Sequence, residues 1–256
     1  MNSGMRSVRI LGVRVDDVTT SETLAILERF VAEKCPHQVV TVNPEFIVTA
    51  LSLPEFRATL EAADLSLPDG AGLTWASWLL GQRLRERVTG SDTLPLIARM
   101  SAERGYRLYL LGALPGVADR AAQVLKRDNP GLQVVGAYAG SPDCGEEDDI
   151  VSRVVVAAPD FLFVAYGAPR QDLWIRRNLR RLGVPVCIGV GGALDYIAGV
   201  AVRAPRWMRR IGLEWLHRLW RQPWRWRRML ALPRFAYLVV RQRVQSGAGR
   251  EQPCVK

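Results

Sequence analysis

The run Phe161-Leu162-Phe163-Val164-Ala165 leaves this chain few choices of fold. Five consecutive apolar residues without alternation mark a strand buried on both faces, and such strands belong to parallel sheets covered by helices on each side. The run stops at Gly167-Ala168-Pro169-Arg170-Gln171, and a helical pattern follows to about Arg181. The same succession recurs along the chain. Residues 38–42 end in Asn43-Pro44-Glu45, residues 107–111 in Gly112-Ala113-Leu114-Pro115-Gly116, and residues 184–190 in Gly191-Gly192-Ala193-Leu194-Asp195. Residues 8–15 read as a first strand and residues 132–137 as another. Leu24, Leu27 and Val31 share one face of a helix opening at Ser21. Strands alternating with helices predict an α/β chain with a doubly wound, mainly parallel sheet.

In such sheets ligands bind outside the carboxyl ends of the strands. The polar and glycine-rich residues fall repeatedly at those ends: Thr41 and Asn43, Asp69, Gly112, Gly167 and Gln171, Gly191 and Gly192. Asp69 stands in Leu65-Ser66-Leu67-Pro68-Asp69-Gly70-Ala71-Gly72, where an apolar strand runs into a turn whose glycines let a ligand approach the backbone. A helical run over residues 73–80 follows, then a loop with Arg83, Arg85 and Arg87, then Gly90-Ser91-Asp92, with Asp92 expected to cap the next helix. This segment offers a general base and cations for an anionic substrate. Taken alone it reads equally well as a turn aspartate beside a solvated basic loop.

Several chemistries are disfavoured. The glycines do not fit the dinucleotide spacing between a first strand and helix, and no P-loop lysine is present. There is no Gly-x-Ser-x-Gly elbow, and two histidines argue against a hydrolase triad or a zinc site. Four cysteines lack any metal spacing, so a reducing cytoplasm is expected. The acidic cluster Glu146-Glu147-Asp148-Asp149 suits the positive end of a helix better than a metal. No Asp-x-Asp pair occurs, so no metal site and no cofactor is expected, and arginines would have to neutralise any diphosphate.

The formal charge of +10 is unevenly placed. Residues 203–234 hold ten arginines against one acid, Glu214, and five of the eight tryptophans, while residues 1–202 carry a net −2. The composition therefore divides the chain into a core, 1–202, and an appendage, 203–256. Met208, Ile211, Trp215 and Leu219 would share one face of a helix, with most arginines elsewhere. A basic amphipathic helix rich in tryptophan suits the surface of an anionic membrane. Nucleic-acid binding and a helix packed on the core with a solvated face remain open on these residues alone. No leader-like apolar segment and no apolar run of about 18 residues is present, so a spanning helix is not expected.

Several of these stretches together carry a resemblance. Thr41-Val42-Asn43-Pro44-Glu45, Pro68-Asp69-Gly70-Ala71-Gly72, Arg87-Val88-Thr89-Gly90-Ser91-Asp92, Gly167-Ala168-Pro169-Arg170-Gln171 and Gly191-Gly192-Ala193-Leu194-Asp195 occur in order. Arg203-Ala204-Pro205-Arg206-Trp207 and Gly212-Leu213-Glu214-Trp215-Leu216-His217-Arg218-Leu219 extend them. Over about residues 8–230 the chain resembles the WecG/TagA/CpsF family of bacterial glycosyltransferases. The departures are His217, where the family often has an aromatic residue, and Asp172, where it usually has Glu.

The resemblance implies a Rossmann-like core with a basic helical C-terminal appendage. It implies an inverting transfer of a hexosyl or N-acetylhexosaminyl group, for example of the N-acetylmannosamine type, from a UDP-sugar to a polyprenyl-diphosphate-linked sugar. The setting would be cell-surface polysaccharide or teichoic acid synthesis, by a cytoplasmic protein held peripherally on the inner, anionic face of the membrane. Asp69 would be the catalytic base. Thr41, Asn43, Arg87 and Gln171 would line the pocket, and Arg218, Arg225 and Arg228 would close over the diphosphate. Nucleic acid is not expected as a partner, and assembly into a homo-oligomer is left open. The alternative is a protein without chemistry that holds RNA or anionic lipid by its basic tail. A tail-only binder does not need the strand-end cluster of Asp69, Thr41 and Gln171.

Overall fold

The computed structural model describes residues 5–223 and 226–248. The chain opens with a hairpin, β1 (Ser7–Ile10) and β2 (Val13–Asp16), and not with one strand over residues 8–15. The turn explains the difference. Leu11 and Gly12 both take positive φ, 50° and 84°, as a two-residue hairpin turn requires. Apolar alternation on its own does not report that reversal.

Six parallel strands follow: β3 (His37–Val42), β4 (Leu65–Pro68), β5 (Arg107–Gly112), β6 (Gln133–Tyr138), β7 (Phe161–Ala165) and β8 (Val186–Gly189). Their order is β4-β3-β8-β7-β5-β6. The apolar run over residues 161–165 is an inner strand, with all five residues buried. The hairpin lies along the outer strand β4, where Asp16 Oδ2 accepts the Ser66 N–H at 2.8 Å.

Local signals start the helices. The box of Thr19 and Glu22 caps α1 (Thr20–Glu33), and Asn43 caps α2 (Pro44–Ser52) with Pro44 in the first turn. α3 (Pro54–Ala62) and α4 (Ala71–Leu79) flank β4. α5 (Gly90–Arg104) is capped by Thr89, whose Oγ1 accepts the Asp92 N–H at 3.1 Å, and not by Asp92 as expected. The hydroxyl stands at the position that precedes the helix, and Asp92 sits three residues further on. α6 (Val117–Asp128), α7 (Glu147–Ala157), α8 (Arg170–Leu182) and the short α9 (Ala193–Ile197) complete the wrapped sheet.

Alternate strand residues feed opposite layers, as the two-residue period demands. Leu108, Leu110, Phe161 and Phe163 pack with residues of α1, α5 and α6. Tyr109, Leu111, Leu162 and Val164 pack with Trp174 and Ile175 of α8 and Ile150 of α7. Helices therefore cover both faces.

The appendage is α10 (Arg206–Arg210), α11 (Glu214–Arg221), α12 (Trp226–Met229) and α13 (Ala231–Ala248). The continuous helical face expected over Met208, Ile211, Trp215 and Leu219 is not formed. Gly212, at φ 79°, separates α10 from α11, and a Cβ there would lie 2.5 Å from Ala71 Cβ. The turn is pressed against the start of α4. α13 returns to the body, burying Phe235 and Val239 beside Val42, Phe46 and Leu73, a contribution of ~1.5–3 kcal/mol for each side chain. The compositional boundary at residue 202 is thus not where packing ends. Among the described residues no helix is long and apolar enough to cross a membrane.

Candidate active site

β3 and β8 are neighbours, yet the chain leaves them in opposite directions, through α2 toward β4 and through α9 against the α5–α6 side. The crevice at their carboxyl ends is where an open sheet holds ligand. Its floor is fastened by side chains that bond to backbone. Thr41 Oγ1 donates to the Gly189 carbonyl at 3.0 Å, tying β3 to β8. Gln171 Oε1 accepts the Gly191 N–H at 3.0 Å and the Gly167 N–H at 3.2 Å, tying β8 to the β7–α8 turn. Both residues are buried. A Cβ on Gly189 would stand 2.6 Å from Gln171 Nε2 and from Asp172 Oδ1, so any larger residue would have to displace these two buried side chains. The Asp172 carboxyl, sealed beneath the floor, is pushed up to about 7 by burial, against the pull of the neighbouring Gln171 side-chain amide.

Asp69 extends β4 by one step. Its N–H donates to the Val42 carbonyl at 2.7 Å, and Gly70, at φ 118°, turns the chain away so that the carboxyl faces the crevice. Asp69 Oδ2 accepts the Gly90 N–H at 3.3 Å. Burial pushes the carboxyl up to about 6; the Gly90 N–H opposes this, nearby Glu214 reinforces it, and Arg218 and Arg87 oppose it. A carboxylate so poised is ionised at neutral pH and still basic enough to take a proton.

Two cavities open over this edge. One, of 630 Å³, lies over the ends of β7 and β8, with Gly167, Gly191 and Gly192 below and Tyr196 and Arg221 at the side. The other, of 380 Å³, lies over β3 and β4, with Asn43, Asp69 and Arg87 on the core side and Trp215, Leu232 and Phe235 from the appendage. Arg218 and Arg228 border both. Arg218 stacks over Tyr196 at 4.9 Å and donates to its hydroxyl. Arg228 pairs with Glu45, Nε to Oε1 at 2.6 Å.

The structure therefore brings Asn43, Asp69, Arg87, Arg218 and Arg228 to one place. Thr41 and Gln171 lie beneath it as fasteners of the floor, and Arg225 falls outside the described residues. The sequence reading missed what holds the appendage down. Arg203 Nη1 and Arg209 Nη1 reach Asp92 Oδ1 at 2.7 and 3.3 Å, and Arg203 Nε lies 3.8 Å from Glu214. Burial alone would raise the Asp92 carboxyl, but hydrogen bonds from Arg203 and Thr89 hold it below its usual value. Glu214 had one visible signal, being the only acid in an arginine-rich stretch. Asp92 was hidden because its carboxylate read as a cap.

Cations around a glycine floor suit a diphosphate, and a raised carboxyl beside them suits deprotonation of a hydroxyl. Among the described residues no three His, Cys, Asp or Glu side chains come together in a metal-binding group. Sequence comparison with known proteins shows the family. The profile of the glycosyl transferase WecG/TagA/CpsF family matches residues 8–249. An N-acetylglucosaminyldiphosphoundecaprenol N-acetyl-beta-D-mannosaminyltransferase of Bacillus spizizenii is 33% identical over 79% of this chain and 78% of its own length. Proteins of the same name from Bacillus subtilis and Staphylococcus aureus are 31% and 29% identical, over 84% and 93% of this chain and 83% and 94% of their own lengths. The chain belongs to the glycosyl transferase WecG/TagA/CpsF family.

Proposed function

We propose that this glycosyltransferase moves a hexosyl or N-acetylhexosaminyl group, of the N-acetylmannosamine type, from a UDP-sugar to a sugar carried on a polyprenyl diphosphate. The product would serve cell-surface polysaccharide or teichoic acid synthesis. The observation that carries this reading is Asp69, raised to about 6 at the end of β4 and facing a crevice bordered by Arg218 and Arg228. The names of the relatives supply the sugar and the acceptor type.

In the proposed reaction the Asp69 carboxylate takes the proton of the acceptor hydroxyl as its oxygen forms the bond to the anomeric carbon. The bond from that carbon to the β-phosphate oxygen breaks on the opposite face, which inverts the centre. UDP departs with the electron pair, and Arg218, Arg225 and Arg228 balance its charge without a metal. Asn43 and Arg87 border the acceptor side, while Thr41 and Gln171 keep the floor rigid. Incubation with UDP-N-acetylmannosamine and a lipid-diphosphate-linked N-acetylglucosamine should release UDP, in excess chelator as well. Failure to release UDP from any UDP-hexosamine with that acceptor overturns the reading.

A lipid-linked acceptor requires the site to meet a bilayer surface from the cytoplasmic side. The exposed Trp207, Ile211, Trp220 and Trp226 of the appendage, set among arginines, support peripheral binding there. Co-sedimentation with anionic liposomes should weaken with added salt and leave a residue due to tryptophan burial. Binding that ignores both lipid charge and salt would remove the electrostatic part of this proposal.

A further inference from the structure

A third cavity, of 470 Å³, opens beside the Asp69 crevice and belongs mainly to the core. Trp75 and Trp78, three residues apart, stand on one face of α4, and Ile211 closes the far side from the α10–α11 turn. These are large apolar side chains left in solvent: Trp75 is 39%, Trp78 62% and Ile211 61% exposed. The opposite wall is the loop after α4. Its charges are unequal in what they can offer. Arg85 is held by Asp17 and Glu22, and Glu86 accepts the Thr20 N–H at 3.1 Å and the Thr20 hydroxyl. Arg83 and Arg87 make no ion pair among the described residues, and both face the cavity.

The groove is continuous with the site. Ala71, Trp75 and Arg87 line both it and the cavity that contains Asp69. Two guanidinium groups without ion pairs among the described residues, beside a tryptophan-lined trough, match a ligand with a diphosphate at one end and a long apolar chain at the other. A sugar nucleotide supplies the diphosphate but has no apolar chain to cover Trp78. We propose that this groove holds the polyprenyl diphosphate stem of the acceptor, the diphosphate between Arg83 and Arg87 and the first isoprene units against Trp75, Trp78 and Ile211. This deepens the proposed function and rests on it. The arrangement sets the direction of the acceptor: its sugar passes Arg87 into the Asp69 crevice, and its chain leaves over α4 toward the bilayer. It gives the catalytic core a hold on lipid-linked substrate that is separate from the tryptophans of the appendage.

Calorimetric binding to the full-length protein tests the groove without requiring turnover. The probes are a prenyl diphosphate in detergent, inorganic pyrophosphate and the matching prenyl alcohol. Trp78→Ala should weaken the prenyl diphosphate about tenfold and leave pyrophosphate unchanged, as loss of an apolar contact predicts. Arg83→Ala should weaken both phosphates, and Arg83→Lys should recover part of the loss. In steady state the same variants should raise KM for the lipid acceptor and leave KM for the donor within about twofold of wild type. Wild-type prenyl diphosphate affinity in both alanine variants overturns the groove, whatever the turnover. So does a loss seen only with anionic vesicles, which would make the surface a bilayer contact. If Arg83-dependent prenyl diphosphate binding is present but no sugar is transferred, the groove stands and the transferase reading falls.

Discussion

The floor of the crevice and its lid are built on different principles. The floor is made of strand ends whose polar side chains bond to backbone: Thr41 to Gly189, Gln171 to Gly167 and Gly191, Asp69 to Gly90. At Gly189 a Cβ would press on the side chains of Gln171 and Asp172. The lid is made of short helices and the segment leading into them, fastened by arginines: Arg203 and Arg209 to Asp92, Arg203 also to Glu214, Arg228 to Glu45, Arg218 to Tyr196. α13 anchors it with enclosed apolar groups, Phe235 and Val239. In the proposed reaction a floor of that kind would fix where the proton is taken. A lid held by such polar contacts would supply charge and open for exchange of substrate.

Variants that touch only one region sharpen the contrast. The largest effect is expected on the floor at Asp69. Asp69→Asn should lower kcat by about 10²–10⁴, the range for a general base, while UDP-sugar binding persists. UDP release and equilibrium donor binding measure the two separately, and near-normal kcat in a folded variant removes the base assignment.

A lid arginine should matter less. Arg218→Ala is expected to lower kcat by about 10–10², since Arg228 borders the same two cavities and would still offer a cation. Its thermal stability should change little, because Arg218 is only half-buried and its partner is a hydroxyl and ring. A large fall in Tm with unchanged kcat would assign it to packing.

Gln171→Leu tests the opposite role. It strands the Gly167 and Gly191 N–H groups inside the floor, at about 1–3 kcal/mol for each unpaired group. Denaturant unfolding should show the loss, and kcat should fall through displacement of the strand ends. A stable variant with normal kcat would show that the floor does not depend on this fastening.

The smallest effect concerns pH and couples the two regions. Asp69 acts only when ionised, so kcat/KM should rise with pH through about 6 and then level. Glu214, on the lid, raises the Asp69 pKa through its negative charge, and Glu214→Gln should move this acid limb to lower pH by a fraction of a unit. An unmoved limb, or one moved upward, would show that the lid does not set the basicity of the floor. Removing the whole appendage is a poorer experiment, because it would uncover the cluster that Phe235 and Val239 complete.

Much of this was legible in the residues. Period and composition are local properties, so the continuous run at residues 161–165 announced a buried parallel strand, and the turn after residues 65–68 placed Asp69 at a strand end. The arginine-rich appendage was equally plain from composition. Three things were not. The reversal at Leu11 and Gly12 depends on two backbone angles that alternation does not encode. The helix broken at Gly212 depends on contact with Ala71, which lies far away in the chain. The roles of Thr41, Gln171 and Asp92 depend on which backbone or guanidinium group each side chain meets across the fold. Hydrogen bonds and ion pairs act over a few ångströms between residues distant in sequence. The residue types were therefore enough to propose what chemistry the site suits, and tertiary packing alone decided which of them face the crevice and which hold the floor beneath it.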